Sequence, residues 1–242
     1  MGEIFATTSG KGGVGKSATA VGLGLAFAGL NKKTLLVDMD EGLRCLDLLL
    51  GVDSKAVLDL GDAVKTEEIN DIAYECSQKN LFLIPAPDTF GEIAPEALTA
   101  FAKKAEELYD VVIFDFPAGL QFELYSALPK KTLFLGIATP DPVSVRDIAA
   151  VGEKLASLGL NSRLIINRFS FKIHKKKFYQ SIDGIIDASS IRLLGIVPEA
   201  EDVNTLSINH KLKRNSNASK AFLRIAERLQ YKNIPLKNLK KI

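Results

Sequence analysis

The sequence predicts a three-layer α/β fold, in which helices cover both faces of a mainly parallel, twisted β-sheet of about seven or eight strands. Short apolar runs rich in β-branched residues alternate with longer helical patterns along all 242 residues. These runs are continuously apolar rather than alternating, which is typical of strands buried on both faces. Regular strand–helix alternation also indicates right-handed crossovers between parallel strands.

Seven runs are predicted as strands and four longer segments as the clearest helices. The predicted strands are Glu3–Thr8, Thr34–Asp38, Leu81–Pro85, Val111–Asp115, Leu133–Ala138, Arg163–Asn167 and Leu193–Val197. The predicted helices are Ser17–Leu30, Pro95–Tyr109, Pro142–Leu158 and Ala218–Leu229. Because the chain has no internal repeat and no low-complexity linker, we expect residues 1–230 to form one domain, followed by a short basic tail at 231–242.

Composition favours a globular cytoplasmic protein. Hydrophobic residues make up 47% of the chain and charged residues 25%, which is enough to build a sizeable core under an ordinary polar surface. The first residues lack the pattern of a signal peptide, and no stretch approaches the ~20 apolar residues of a spanning helix. Cys45 and Cys76 show neither metal-ligand nor disulfide spacing, which indicates a reducing compartment.

A phosphate-binding loop is predicted between the first strand and the first helix. Residues 9–17 read SGKGGVGKS and contain the full G-x-x-x-x-G-K-[ST] pattern in the strand–loop–helix context that it requires. Glycines let several backbone N–H groups point at one anion, and the amino end of the helix adds its dipole. Lys16 can reach the β- and γ-phosphates, and the Ser17 hydroxyl can bind Mg²⁺. The predicted nucleotide-binding residues here are Gly10, Lys11, Gly12, Gly13, Val14, Gly15, Lys16, Ser17 and Ala18.

Acidic residues end two further predicted strands. Ligands of such sheets lie beyond the carboxyl ends of the strands, so these acids should face the same site. Asp38 and Asp40 follow the second strand; one would hold Mg²⁺ through water and the other would orient the attacking water. Asp115 begins the segment DFPAG, in which Asp115 would join the magnesium shell and the Gly119 N–H would contact the γ-phosphate.

These motifs together resemble the MinD/ParA family of P-loop ATPases, also called the SIMIBI class. The second lysine, Lys11, gives the K-G-G-x-G-K-[ST] form of its deviant Walker A loop. Residues 38–47, DMDEGLRCLD, resemble the MinD switch I pattern D-x-D-x-G-L-R-N-L-D, with Cys45 in place of Asn. The DFPAG segment is similar to the MinD switch II pattern D-x-P-A-G. ParA proteins usually carry a Pro-Gln pair after the second Asp, and this chain lacks it.

The resemblance implies an ATP-sandwiched homodimer that hydrolyses MgATP. In that family Lys11 would reach the phosphates bound to the other subunit, Asp38 would be the magnesium-shell acid, and Asp40 would position the catalytic water. The catalytic residues would be Lys11, Lys16 and Asp40, and the metal residues Ser17, Asp38 and Asp115. By the same resemblance, Asn167, Pro198 and Glu199 border the base, and Asp147 lies near Lys11. The activity would control cell-division or other spatially positioned machinery, with an activating or effector protein as partner.

The carboxyl-terminal segment is strongly basic. Residues 208–242 hold ten Lys or Arg against one acid, Glu227. MinD proteins commonly end in a short basic amphipathic helix that binds membrane, and Leu236, Leu239 and Ile242 here repeat at spacing three. Two interpretations of this tail remain open. It could bind an anionic membrane surface at the inner face of the cell membrane, or it could be a frayed, solvated end. A further basic cluster comprises Lys172, Lys175, Lys176 and Lys177.

Three other functions remain as alternatives. A ParA-like partition ATPase would bind DNA. The basic tail is compatible with DNA binding, whereas the missing Pro-Gln pair argues against membership of the ParA branch. A metabolic or metallocluster enzyme could use the same loop, but the iron–sulfur carriers of this superfamily need paired cysteines, which Cys45 and Cys76 do not supply. A non-hydrolysing adaptor would bind nucleotide and partner only, although every expected ATPase position is filled.

Overall fold

A computed structural model describes residues 1–66, 68–91, 93–175 and 181–236, and its centre is one eight-stranded sheet. The spatial order of the strands is β3-β4-β2-β5-β1-β6-β7-β8. Their bounds are β1 Glu3–Thr8, β2 Thr34–Asp38, β3 Tyr74–Glu75, β4 Leu81–Ile84, β5 Val111–Asp115, β6 Leu133–Ala138, β7 Asn161–Phe169 and β8 Leu193–Pro198.

Helices connect the strands, and four of them are long. The long helices are α1 Lys16–Gly29, α5 Pro95–Leu108, α7 Pro142–Ser157 and α12 Asn217–Leu229. The short ones are α2 Leu46–Leu50, α3 Leu60–Thr66, α4 Ile69–Ile72, α6 Phe122–Ala127, α8 Phe171–Lys175, α9 Ile182–Ser189, α10 Glu201–Asn204 and α11 Leu206–Asn209.

The predicted fold class is confirmed. Every strand pair is parallel except β3–β4, which is antiparallel at the sheet edge. All seven predicted strands and four predicted helices are present, with ends that differ by up to two residues; β7, for example, begins at Asn161 rather than Arg163. The sequence did not predict β3, whose two residues are too few to show a periodic pattern.

Two apolar layers hold the helices on the sheet. One layer joins α1, α2 and α12 to one face, where the rings of Phe5 and Phe27 stack with centroids 5.6 Å apart. The other layer joins α3, α5, α7 and α9 to the opposite face and includes the edge-to-face pair Phe101 and Phe114. The sheet is therefore covered on both sides, as its continuously apolar strands require.

The strand order brings the predicted site residues of the glycine loop, Asp38 and Asp115 together. β1 lies between β5 and β6, and β2 lies on the other side of β5. In the register of the sheet, Asp38 at the end of β2 is opposite Asp115 at the end of β5, and Asp115 is opposite Thr7 of β1. Three carboxyl ends thus meet directly beneath the glycine loop that follows β1.

Near the carboxyl terminus, Arg228 fixes the chain that follows α12. Its Nε donates to the carbonyl of Ile234 at 2.7 Å, and its Nη1 donates to the carbonyl of Leu194 at 2.6 Å. Leu239 and Ile242 of the predicted apolar face, and Lys176 and Lys177 of the basic cluster, lie outside the described residues. Within the described residues, no helix has the length and apolar character needed to cross a bilayer.

Candidate nucleotide site

The glycine loop turns sharply between β1 and α1. Gly13 and Gly15 have φ values of 79° and 84°, a region that glycine adopts without strain. A Cβ added to Gly12 or Gly13 would meet no heavy atom within 4 Å, whereas one on Gly10 would lie 2.4 Å from the Asp147 carbonyl. One side of the loop is thus packed against α7, and the other is open to a ligand. Val14 is buried below the loop, and Ser17 and Ala18 lie in the first turn of α1.

Lys16, the predicted phosphate lysine, forms a buried ion pair. Its Nζ lies 2.9 Å from Asp115 Oδ1 and 3.3 Å from the Ser17 hydroxyl. The Thr7 hydroxyl also donates to Asp115 Oδ1. Burial, the largest single influence, disfavours the charged ammonium, but the charge and hydrogen bond of Asp115 together with the charge of Asp38 and other nearby groups raise the pKa of Lys16 overall. Lys16 is therefore a fixed positive charge at the base of the glycine loop.

Asp38 and Asp115 form a pair of fully buried carboxylates. Oδ1 of Asp38 accepts the Asp40 N–H, and Oδ2 accepts the N–H groups of Cys45 and Leu46, each at 3.0 Å. Burial, together with the negative charge of Asp115, raises the pKa of Asp38 to about 6. Lys16 offsets part of the charge of Asp115, but the negative charge of Asp115 still disfavours the ionised form of Asp38.

The donor set fits a magnesium ion. Asp115 Oδ2 is buried, and within the described chain it has no hydrogen-bond partner. A divalent cation would satisfy that oxygen and relieve the repulsion between the two carboxylates. Ser17 supplies a hydroxyl beside Lys16, so Ser17, Asp38 and Asp115 together present the hard oxygen ligands that magnesium prefers.

Switch II is held by two contacts to β1 and the glycine loop. Gly119, with φ 102°, donates its N–H to the Ser9 carbonyl at 2.9 Å, so this predicted γ-phosphate donor is engaged within the chain. The buried Tyr125 hydroxyl lies 2.7 Å from the Thr8 hydroxyl and donates to the Gly119 carbonyl at 3.0 Å. Sequence reasoning missed Tyr125, because it lies in α6 outside any motif.

The Lys11 side chain is partly exposed, and its ammonium lies 3.2 Å from Asp141 Oδ1. Asp141 also accepts the Ser144 N–H as the N-cap of α7. Burial would raise the pKa of Asp141, but hydrogen bonds from Thr139, Ser144 and Lys11 outweigh it and lower that pKa. The resemblance places Asp147 near Lys11, and the Asp147 backbone does lie against Gly10, the neighbour of Lys11. The Asp147 carboxylate pairs with Arg146 at 2.8 Å, so the acid that contacts the Lys11 ammonium is Asp141.

The residues predicted to border the base lie beside the same loop. Asn167, almost fully buried, donates its Nδ2 to the Val14 carbonyl at 2.8 Å, which ties β7 to the glycine loop. Pro198 ends β8, and the Glu199 N–H donates to the Phe169 carbonyl at 3.0 Å. A cavity of about 310 Å³ opens here, lined by Lys11, Gly12, Gly13, Thr139, Pro140, Asp141, Arg168 and Glu199.

Switch I follows β2 and contains Asp40 and Cys45. Burial raises the pKa of the partly exposed Asp40, while the nearby Lys16 opposes that rise. Arg44, which matches the MinD pattern, forms an ion pair with Asp47, its Nε lying 2.7 Å from Oδ2. Burial and the charge of Asp38 raise the pKa of the Cys45 thiol to about 12, so the side chain is a neutral thiol at physiological pH.

Comparisons with known proteins agree with this geometry. Residues 5–213 match the model of the CobQ/CobB/MinD/ParA nucleotide binding domain. The septum site-determining protein MinD of Thermotoga maritima is 33% identical over 248 residues, covering 98% of this chain and 92% of that protein. MinD of Bacillus subtilis is also 33% identical, over 259 residues covering 99% of this chain and 93% of that protein.

Solved structures give the same result. In the MinC:MinD cell division protein complex from Aquifex aeolicus, the matching chain superposes with a TM-score of 0.87 at 30% identity, covering 98% of this chain and 99% of that one. MinD from Pyrococcus horikoshii, complexed with Mg-ADP, gives a TM-score of 0.82 at 26% identity, covering 95% of this chain and 96% of that one. The chain therefore belongs to the CobQ/CobB/MinD/ParA family of P-loop nucleotide-binding ATPases and, within it, to the MinD group.

Proposed function

We propose that this protein is a MinD-type switch that binds and hydrolyses MgATP and thereby controls the position of cell-division machinery. The observation that carries the proposal is the buried pair of Lys16 and Asp115, set beside Asp38 beneath an open glycine loop. A buried ion pair is an expensive arrangement for stability alone, and it is expected where charged phosphates and a cation must be bound. The similarity to MinD proteins supports the division-site role.

The residues of the site have separable roles in the proposed reaction. Bound magnesium would supply positive charge that neutralises the phosphates. Lys16 would exchange its contact with Asp115 for phosphate oxygens, while the backbone N–H groups of residues 12–17 hold the phosphate chain. Asp40 would orient the attacking water. Gly119 would leave the Ser9 carbonyl and donate to the γ-phosphate, which would move switch II when ATP is bound.

Lys11 supports the proposal that two copies act together. Its side chain reaches out of the loop and is 36% exposed, so its ammonium could exchange Asp141 for phosphates bound to a second copy. A half-exposed ion pair of this kind contributes little stability, about 0–1 kcal/mol, and is easily given up. The solved complex of MinD with MinC supports the further proposal that an effector protein binds this chain.

Membrane contact by the tail is a separate part of the proposal. The basic residues 208–242 favour an anionic surface, and one short amphipathic segment would bind lipid weakly. Two such segments in a dimer would bind more tightly through effective concentration. The domain at 1–230 would then carry the switch, and residues 231–242 the peripheral contact.

The first test measures hydrolysis and association in the same samples. Wild-type protein with MgATP should release phosphate and shift toward a dimer on size exclusion. Lys16→Ala should bind no fluorescent ATP analogue, and Asp40→Ala should form an ATP-bound dimer that does not turn over. Wild-type protein that neither binds nor hydrolyses MgATP, alone or with a partner, would contradict the proposal.

The second test addresses the surface that the switch uses. The full chain and a chain ending at Leu229 should be spun with anionic vesicles in ATP and in ADP. ATP-dependent pelleting of the full chain alone supports the membrane role. If neither pellets and ATP instead produces a salt-sensitive shift of duplex DNA, a ParA-like activity would replace the membrane role.

A further inference from the structure

We propose that Glu41 is a positioning residue for Asp40, which it serves by fastening switch I to the loop between β4 and α5. The inference deepens the proposed function and rests on it, because Asp40 is the residue assigned to the attacking water. The switch I pattern D-x-D-x-G-L-R leaves this position unspecified. The role is therefore read from the contacts of this chain and not from the motif.

Glu41 binds the loop with both carboxylate oxygens. Oε2 accepts the Gly91 N–H at 2.8 Å, and Oε1 accepts the Ile93 N–H at 3.0 Å. Hydrogen bonds from backbone N–H groups to a carboxylate are stronger than neutral ones. The Ile93 side chain is buried in the apolar layer under α5, so the loop is itself anchored in the core.

The next residue joins the same loop. The Gly42 N–H donates to the Pro87 carbonyl at 2.9 Å. Gly42 has φ 73°, and a Cβ added to it would lie 2.5 Å from the Phe90 ring, so the backbone and this ring are in close contact. Glu41 and Gly42 therefore fix the chain just after Asp40 at several points on one loop.

The backbone of Asp40, just before Glu41 and Gly42, is also fixed. The Asp40 N–H donates to Asp38 Oδ1 at 3.0 Å, which ties it to the end of β2. Asp40 is thus held on its amino side by Asp38 and on its carboxyl side by Glu41. None of these bonds uses the Asp40 carboxylate. The arrangement fixes the backbone and leaves the carboxylate available to a water molecule.

A purely structural role for Glu41 makes a different prediction from a positioning role. If the bonds only stabilised the loop, their loss would lower the melting temperature and weaken nucleotide binding together. If they place Asp40, their loss should lower kcat while binding of MgATP is kept, because a misplacement of about 1 Å can cost on the order of a hundredfold in rate.

The experiment compares three full-length variants with the wild type. Glu41→Ala removes both bonds. Glu41→Gln keeps one accepting oxygen and turns an amide donor toward the other N–H. Asp110→Ala is the matched control, because Asp110 Oδ2 likewise accepts a backbone N–H, from Lys33 at 2.8 Å, but at the amino edge of the sheet. Phosphate release gives kcat, a fluorescent ATP analogue with Mg²⁺ gives Kd, and circular dichroism gives Tm.

We expect Glu41→Ala to lose roughly ten- to a hundredfold in kcat with Kd changed by less than about twofold, Glu41→Gln to lie between, and Asp110→Ala to match the wild type. Equal kcat in Glu41→Ala and the wild type would overturn the inference alone. The inference would also be overturned if Glu41→Ala lowered kcat and Tm and raised Kd together. A fall in kcat of equal size in Asp110→Ala would overturn it as well. Absence of turnover in the wild type would overturn the proposed function together with the inference.

Discussion

Replacing Asp38 with Asn should stabilise the metal-free protein at pH 8. Asp38 is fully buried beside Asp115, and its pKa rises from the ordinary 3.8 to about 6. Keeping it ionised in the folded state at pH 8 therefore costs about 3 kcal/mol, at 1.36 kcal/mol per pKa unit. The amide oxygen of Asn can still accept the N–H groups of Cys45 and Leu46, but the bond from the Asp40 N–H is lost, which costs about 1 kcal/mol. The net gain should be about 2 kcal/mol.

The stabilisation by Asp38→Asn should depend on pH, and the raised pKa of Asp38 determines the direction of that dependence. Because the folded-state pKa lies above the unfolded value, the folded protein binds more protons between about pH 4 and 6, and stability falls as pH rises through that window. The advantage of Asp38→Asn should shrink to below about 1 kcal/mol at pH 5. Magnesium should stabilise the wild type more than the variant, because it offsets the same repulsion.

Guanidinium unfolding, followed by circular dichroism in EDTA without nucleotide, measures these differences. Asp110→Asn is the control, since Asp110 is exposed at the opposite edge of the sheet. A variant no more stable than the wild type at pH 8 would refute the reasoning. A gain of the same size at pH 5 and pH 8 would also refute it, because the stabilisation would then not come from the charge.

Three further predictions use the same unfolding assay. Gly15→Ala should cost about 1–3 kcal/mol, because φ is 84° and the new Cβ would lie 2.4 Å from Asn167 Nδ2; unchanged stability would mean that the loop relaxes freely. Cys45→Asn should gain about 1 kcal/mol, since Cys45 is the N-cap of α2 without a side-chain cap, and a loss would show that the thiol packs better than it caps. Tyr125→Phe should cost about 1–3 kcal/mol, because it removes the bond to the Gly119 carbonyl, and a neutral result would mean that the buried hydroxyl contributes nothing.

The sheet could be predicted because its strands carry a strong local signal. A strand buried on both faces, such as Val111–Asp115, is apolar throughout, and the residue that ends it is polar because it reaches the ligand edge. The glycine loop was equally predictable, since its spacing and its strand–helix context are both local. The edge strand Tyr74–Glu75 was not, because its place depends on pairing with β4.

The finer contacts of the site depend on residues that are distant in the chain. The partner of Lys11 is Asp141, 130 residues away, and that of Thr8 is Tyr125, 117 residues away. The role of Glu41 could not be predicted from the sequence, because a lone acid in a loop is usually solvated. The two N–H groups that its carboxylate accepts lie 50 and 52 residues further along the chain. Such pairs are fixed by the packing of the sheet and not by local sequence.

The bonds of Arg228 constrain how the bound nucleotide could influence the tail. Ile234 is held beside Leu194, at the amino end of β8, whereas the glycine loop lies at the carboxyl ends of the strands. A phosphate in the loop therefore cannot touch this part of the chain. If the tail responds to ATP, we expect the response to be a change in valency, from one weak anchor in a monomer to two in a dimer.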